Sequence, residues 1–129
     1  MIERFQKKCA KFRTLGLNRL NHYRSIIKLI PQQHADLMNS QPVPGEMVDY
    51  IFDEQRDQYL LLKYGWPRGK HAHYTKVHAR ISDGKIWIEE DMTEDGVGTE
   101  LVQASVPKED IVLGFNPPEL RPYTEFAVA

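Results

Sequence analysis

Apolar residues near the start of the chain repeat at helical spacing. Leu20, Tyr23, Ile26, Ile27 and Ile30 follow one another three or four residues apart, which places them on one face of a helix. His22, Arg24, Ser25 and Lys28 fall mostly on the opposite, wet face. This pattern predicts an amphipathic helix beginning near Leu17. Pro31 should stop or kink it, because proline has no amide hydrogen and its ring crowds the preceding turn. The stretch to Met38 would resume the helix weakly. Asn39 to Gly45 reads as a loop on its Asn, Ser, Pro and Gly content. Residues 1–16 read as a basic N-terminal extension ending at Gly16, and residues 17–129 as a single domain.

From Glu46 the period changes to two. Val48, Tyr50 and Phe52 alternate with Asp49 and Ile51, and the DEQRD segment turns the chain. A second strand runs from Tyr59 to Trp66, with Leu60, Leu62, Tyr64 and Trp66 on one face and Leu61 on the other. A strand apolar on both faces belongs inside a sheet. Asp83-Gly84 between two apolar strands signals a two-residue hairpin. That turn pairs Ile81 with Ile86, Ala79 with Ile88 and Val77 with Glu90 on the core side. On the wet side it pairs Arg80 with Trp87, His78 with Glu89 and Lys76 with Asp91. The wet set contains one cation–π candidate and two opposite-charge pairs. Thr93 reads as the N-cap of a second helix, with Glu94 and Asp95 at its positive end. Val97, Leu101 and Val102 pack down from it, and Gly96 and Gly98 allow close approach. Pro107 ends this helix, and Ile111-Val112-Leu113 forms a short buried strand. Asn116-Pro117-Pro118 and Arg121-Pro122 stiffen an extended arm, with Tyr123, Phe126 and Val128 docking it. The fold class is α+β: an N-terminal amphipathic helix packed on an antiparallel β-meander, then a second helix and a short C-terminal strand and arm.

The length of 129 residues suits one domain with a real core. No apolar run reaches the length needed to span a bilayer, and the basic start lacks the apolar segment of a secretory signal. Cys9 is the only cysteine, so there is no internal disulfide and no thiolate metal cage. These features place the protein in the cytoplasm. Net charge is −1, yet the first thirty residues hold eight cations and one acid. Lys7, Lys8, Lys11 and Arg13 are therefore candidate nucleic-acid contacts. A solvated helix face explains them more simply, because few aromatics interleave the charges for base stacking.

No constellation in the chain carries catalysis. His71 and His73 share a strand face but lack a third ligand, and His78 has the wrong parity. Asp83-Gly84-Lys85 matches the end of a nuclease carboxylate motif, but the turn explains all three residues. Glu89, Glu90 and Asp91 point to alternate faces, which breaks up a hard-cation site. Asp53, Arg56 and Asp57 read as turn hydrogen bonds and a local ion pair. Cys9 has no dedicated histidine partner. Gly96-Val97-Gly98 lacks the preceding strand and turn of a dinucleotide site. The reading is a non-enzyme with no cofactor and no metal.

Four segments carry a resemblance: LNHYRSII (20–27), IFDEQRDQYLLLKYGW (51–66), ISDGKIWIEEDMTEDGVGTELV (81–102) and VPKEDIVLGFNPPELRPYTEFAV (106–128). With these the chain resembles the XisI family, the fdxN element excision controlling factors. The resemblance implies a compact α+β domain without carried-over catalytic residues. It also implies a regulatory role in site-specific excision of a DNA element, beside a recombinase and a partner, XisH, whose relatives resemble nucleases. Two departures stand out: residues 1–16 are unmatched, and Pro31 interrupts where the family helix runs on. The expected partner is an XisH-like protein, in a recombinase complex on DNA, with no membrane. The alternatives are an antagonist of an XisH-like nuclease and a direct DNA-binding factor. Candidate partner-binding residues are Trp66, Trp87, Pro117, Pro118, Arg121, Tyr123 and Phe126, since aromatics and arginine are favoured interface anchors. The competing account is that the arm docks on its own domain. The exposed edges of such a sheet also favour self-association into a homo-oligomer.

Overall fold

The computed structural model describes the backbone from Ile2 to Ala129 and the side chains from Asn18 onward. A first helix, α1 (Ile2–Ser40), is followed by β1 (Glu46–Asp53), β2 (Gln58–Gly65), β3 (Ala72–Ser82) and β4 (Lys85–Asp91). A short helix, α2 (Val97–Gln103), leads to β5 (Ile111–Leu113), and a 3₁₀ segment at Pro118–Tyr123 lies in the C-terminal arm. The strands form one sheet in the order β1-β2-β3-β4-β5. The first four are an antiparallel meander, and β5 joins parallel to β4. A parallel neighbour needs a crossover connection, which α2 supplies.

The α+β reading is therefore correct, with corrections in detail. Helix α1 does not stop at Pro31 but runs through it to Ser40. Pro31 forfeits one backbone hydrogen bond, a loss of about 3 kcal/mol in an isolated helix. Tyr23, Ile26, Ile27, Ile30 and Ala35 are all buried in the core, and Pro31 itself is buried among them. That packing holds the turns on either side of the proline. The helix also continues backward through Gly16, so the backbone shows no break at the proposed extension.

The sheet contributes Tyr59, Leu61, Val77, Ala79, Ile86, Ile88 and Ile111 to the same core, and Val97, Leu101 and Val106 close it. Both helices thus cover one face of the sheet. The other face carries Met47, Asp49 and Ile51 of β1 opposite Tyr64, Leu62 and Leu60 of β2.

Two bulges adjust the register. The hairpin pairs Ala79 with Ile88, Arg80 with Trp87 and Ile81 with Ile86, as the Asp83-Gly84 turn requires. Both turn residues have positive φ, 53° and 75°, as this tight turn demands. Beyond Ala79 the ladder slips, so that His78 faces Glu90 and Val77 faces Asp91. The expected pairs Val77–Glu90, His78–Glu89 and Lys76–Asp91 do not form, because Glu89 is the extra residue of a bulge. A second bulge leaves Lys76 unpaired between Thr75, opposite Leu62, and Val77, opposite Leu61. Lys76 turns toward the helical layer rather than to the wet face. The same bulge puts His78, opposite Leu60, on the face of His73, opposite Tyr64, which corrects the parity expected for His78.

Helix α2 starts later than expected. Thr93 is not its N-cap; Gly96 occupies that position, with φ of 87° and no side-chain cap. Asp91 supplies the missing acceptor. One carboxylate oxygen accepts from the Val97 amide at 2.7 Å, and the other from the Thr93 amide and hydroxyl at 3.0 and 2.6 Å.

Candidate partner-binding surface

The C-terminal arm follows β5 and carries the prolines noted in the sequence. Pro117, Pro118 and Pro122 restrict the backbone, and the chain coils into 3₁₀ turns rather than staying extended. The Leu120 amide donates to Pro117 O at 2.9 Å, and the Thr124 amide to Arg121 O at 3.0 Å. Arg121 Nε donates to Asn116 O at 3.1 Å, tying the coil to its root. The end of the arm closes the sheet edge: Ala127 bridges Val112, and its amide donates to Ile111 O at 2.8 Å. Phe126 packs against Gly98, where a Cβ would lie 3.1 Å from the ring, so the glycine serves close packing as expected. Lys85 Nζ donates to the Ala129 carbonyl oxygen, and Lys108 pairs with Glu125 at 2.7 Å.

This arm does not bury all its apolar residues. Tyr123 is 87% exposed, and Phe115, Leu120 and Val128 are each about half exposed. The docking expected of Tyr123 and Val128 does not occur; Phe126 alone of the three packs against the core. Pro117 and Pro118 are also exposed. Arg121 instead lies over the indole of Trp87, 5.3 Å from its centroid, and Arg80 lies 4.7 Å from it. Arg80 Nε is held by Glu89 at 2.8 Å. The Trp87 Nε1 donor is buried without an acceptor.

The structure thus brings Trp87, Pro117, Pro118, Arg121, Tyr123 and Phe126 to one end of the molecule. Trp66 is not among them. It follows β2 at the opposite end of the strands, 63% exposed and 4.9 Å from the His71 ring. About 25 Å of strand separates the two tryptophans at the usual rise per residue. Lys7, Lys8, Lys11 and Arg13 lie outside the described side chains.

Other sequence candidates have structural settings. His71 and His73 stack with ring centroids 6.4 Å apart. His78 Nε2 is 2.6 Å from Gln58 Oε1, and burial pushes its pKa down. Among the described residues no group of three or more His, Cys, Asp or Glu is placed to hold a metal ion. Asp53 accepts from the Gln55 and Arg56 amides and pairs with Arg56 at 2.7 Å. Asp57 pairs with Arg24 of α1 at 2.8 Å rather than with a turn residue.

One feature has no signal in the sequence. A cavity of about 260 Å³ opens between the end of α1, the Lys76 bulge and the approach to α2, lined by His34, Leu37, Met38, Lys76, Met92 and Thr93 among others. Burial lowers the Lys76 pKa, and Lys63 nearby lowers it further. His34 Nε2 lies 2.9 Å from Glu100, joining α1 to α2. The bulge sends Lys76 to the helical side, where it lines this cavity, and a two-residue period gives no warning of that.

The family model described as "XisI protein" matches residues 17–128. The chain belongs to the XisI family. A solved structure of the fdxN element excision controlling factor XisI from Anabaena variabilis ATCC 29413 is 45% identical. The match covers 86% of this chain and 99% of that one, with a TM-score of 0.73. An XisI-like protein from the same organism is 33% identical, covers 83% of this chain and 96% of its own, and gives a TM-score of 0.76. No curated protein matches the chain. The XisI match begins at residue 17, so residues 1–16 lie outside it. Most of the arm, with Trp87, lies within the matched span.

Proposed function

We propose that this protein is a non-enzymatic accessory factor that controls site-specific excision of a DNA element by binding an XisH-like protein. The XisI relative carries the excision-controlling description in its name, and family membership brings that role here. The observation that supports a binding role is the arm. It is held by at least four backbone and side-chain bonds, yet it presents Phe115, Leu120, Tyr123 and Val128 to solvent. A rigid surface with exposed aromatic and aliphatic anchors loses little entropy on docking. Trp87, covered by the Arg80 and Arg121 guanidinium groups, braces the base of the arm.

The test is co-expression with an XisH-like protein, followed by size exclusion with light scattering. A stoichiometric complex is expected. Leu120→Ser with Tyr123→Ser should weaken it by at least about tenfold, the loss expected from truncating one interface hot spot. The melting temperature of the isolated protein should fall little, because Tyr123 is almost fully exposed and Leu120 only half-buried. Two separate peaks at micromolar concentration would remove the partner role. A salt-dependent shift of duplex DNA by the protein alone would instead favour the direct DNA-binding reading.

A further inference from the structure

The two edges of the sheet are finished differently. At the β5 edge, Ala127 bridges Val112 and the arm covers the strand. At the other edge, all eight residues of β1 pair with β2, and among the described residues no strand pairs on their other side. Natural edge strands are blunted by proline, by lysine, by bulges or by brevity. Glu46–Asp53 contains no proline and no lysine, and its ladder to β2 is unbroken. It also leaves Met47, Tyr50 and Ile51 about half exposed.

The charges on β1 decide what could pair with it. Glu46 is bonded to Lys63 at 2.8 Å, Asp49 accepts from the Tyr64 hydroxyl, and Asp53 is bonded to Arg56 at 2.7 Å. A cationic strand from another protein would find every carboxylate already engaged. The strand that fits is locally neutralised, eight residues long and alternating, with aromatic and aliphatic side chains. β1 is itself such a strand.

We propose that β1 pairs antiparallel with β1 of a second copy about a two-fold axis at Tyr50, joining the two five-stranded sheets into one. In a two-fold antiparallel ladder, opposite residues share a face, so the axis must pass a residue that meets its own copy. Centring on Asp49 sets that carboxylate against itself. Centring on Ile51 sets Asp49 against Asp53. Centring on Val48 leaves only residues 46–50 overlapped. The Tyr50 centre overlaps residues 47–53 with no like charges opposed within them. Glu46 then meets Glu54 beyond the overlap, each bonded to its own lysine, Lys63 and Lys28. On the helix-bearing face Tyr50 meets Tyr50 of the partner copy, and Val48 meets Phe52. The Tyr50–Phe52 stack, with centroids 5.1 Å apart, thereby extends across the junction.

The test uses the full chain alone and is independent of the XisH-like partner. Sedimentation velocity across the micromolar range should show a concentration-dependent dimer. Ile51→Glu, at an exposed position, should raise the dimer dissociation constant at least about tenfold, because it sets a carboxylate opposite Asp49 of the second copy on both sides of the axis. Far-UV circular dichroism should remain unchanged. Tyr50→Cys in a Cys9→Ser background should form a disulfide-linked dimer on mild oxidation. Opposed residues lie about 4.5–5.5 Å apart between Cα atoms, within the reach of that bond. Tyr123→Cys in the same background should not cross-link. A monomer at every concentration would overturn the proposal. So would a dimer that ignores Ile51→Glu or fails to cross-link through Tyr50→Cys.

Discussion

Asp57 shows how much one side chain can connect. It ends the turn between β1 and β2, accepts from Arg24 Nε at 2.8 Å and Arg24 Nη2 at 3.1 Å, and accepts from the Tyr59 hydroxyl at 2.9 Å. It therefore ties α1 to the sheet through a two-pronged guanidinium contact. Arg24 chiefly holds the Asp57 carboxyl below its ordinary value; partial burial opposes this and Tyr59 adds to it. Burial and the bond to Asp57 push the Tyr59 hydroxyl well above its usual range. The folded pKa of Asp57 is the lower one, so its stabilisation is complete above the unfolded value near about 3.9. It is lost as pH falls through the folded value. Asp57→Asn keeps the shape, and asparagine tolerates the positive φ of 51° at this position. The variant should lose about 1–2 kcal/mol at neutral pH. Its urea midpoint should also fall less than that of the wild type between pH 5 and pH 3. Equal acid sensitivity in the two proteins would show that Asp57 does not carry this linkage.

At the scale of elements, the decisive devices are bulges and a buried proline. The bulge at Glu89 reverses the facing of the strand end, so that Asp91 points toward α2 and caps it. Thr93, which has the sequence character of a cap, serves only to close the turn onto Asp91. Asp91→Ala should therefore destabilise the protein by about 1–2 kcal/mol, the usual loss of a cap acceptor. Hydrogen exchange should quicken first at the Val97 amide, with Thr93→Ala milder on both measures. The Asp83-Gly84 turn, the hairpin pairs next to it and the alternation of β2 were all readable from sequence, because a two-residue turn and a two-residue period are local properties. The slip beyond Ala79 was not readable, since an extra residue in one strand leaves its composition unchanged. Nor was the continuity of α1 through Pro31. Local chemistry disfavours that helix, and burial of Ile27, Ile30, Pro31 and Ala35 against the sheet overrides it.

At the scale of the whole molecule, the two proposed surfaces lie at opposite edges of the sheet. Four strand spacings, about 19 Å, separate β1 from β5. A dimer joined through β1 would leave both arms facing outward and free. The complex with an XisH-like protein is then expected to contain two copies of each chain by light scattering, and Ile51→Glu should halve its mass without abolishing it. Loss of the partner on Ile51→Glu would mean that the partner, rather than a second copy, occupies β1. The proposed partner surface was only partly visible in the sequence. The prolines and aromatics of the arm marked it as stiff and as rich in anchors. Which anchors turn outward depends on the 3₁₀ coil and on the pairing of Ala127 with β5.

The sequence by itself determined the helices and strands, the meander, the tight hairpin and the family, because periodicity, turn chemistry and motif order are written in consecutive residues. Only the tertiary structure decided that α1 passes through Pro31, that Asp91 caps α2, that Lys76 turns into a cavity and that Trp66 lies far from Trp87. Each of these depends on which distant surface a residue meets, and on burial strong enough to override a local preference.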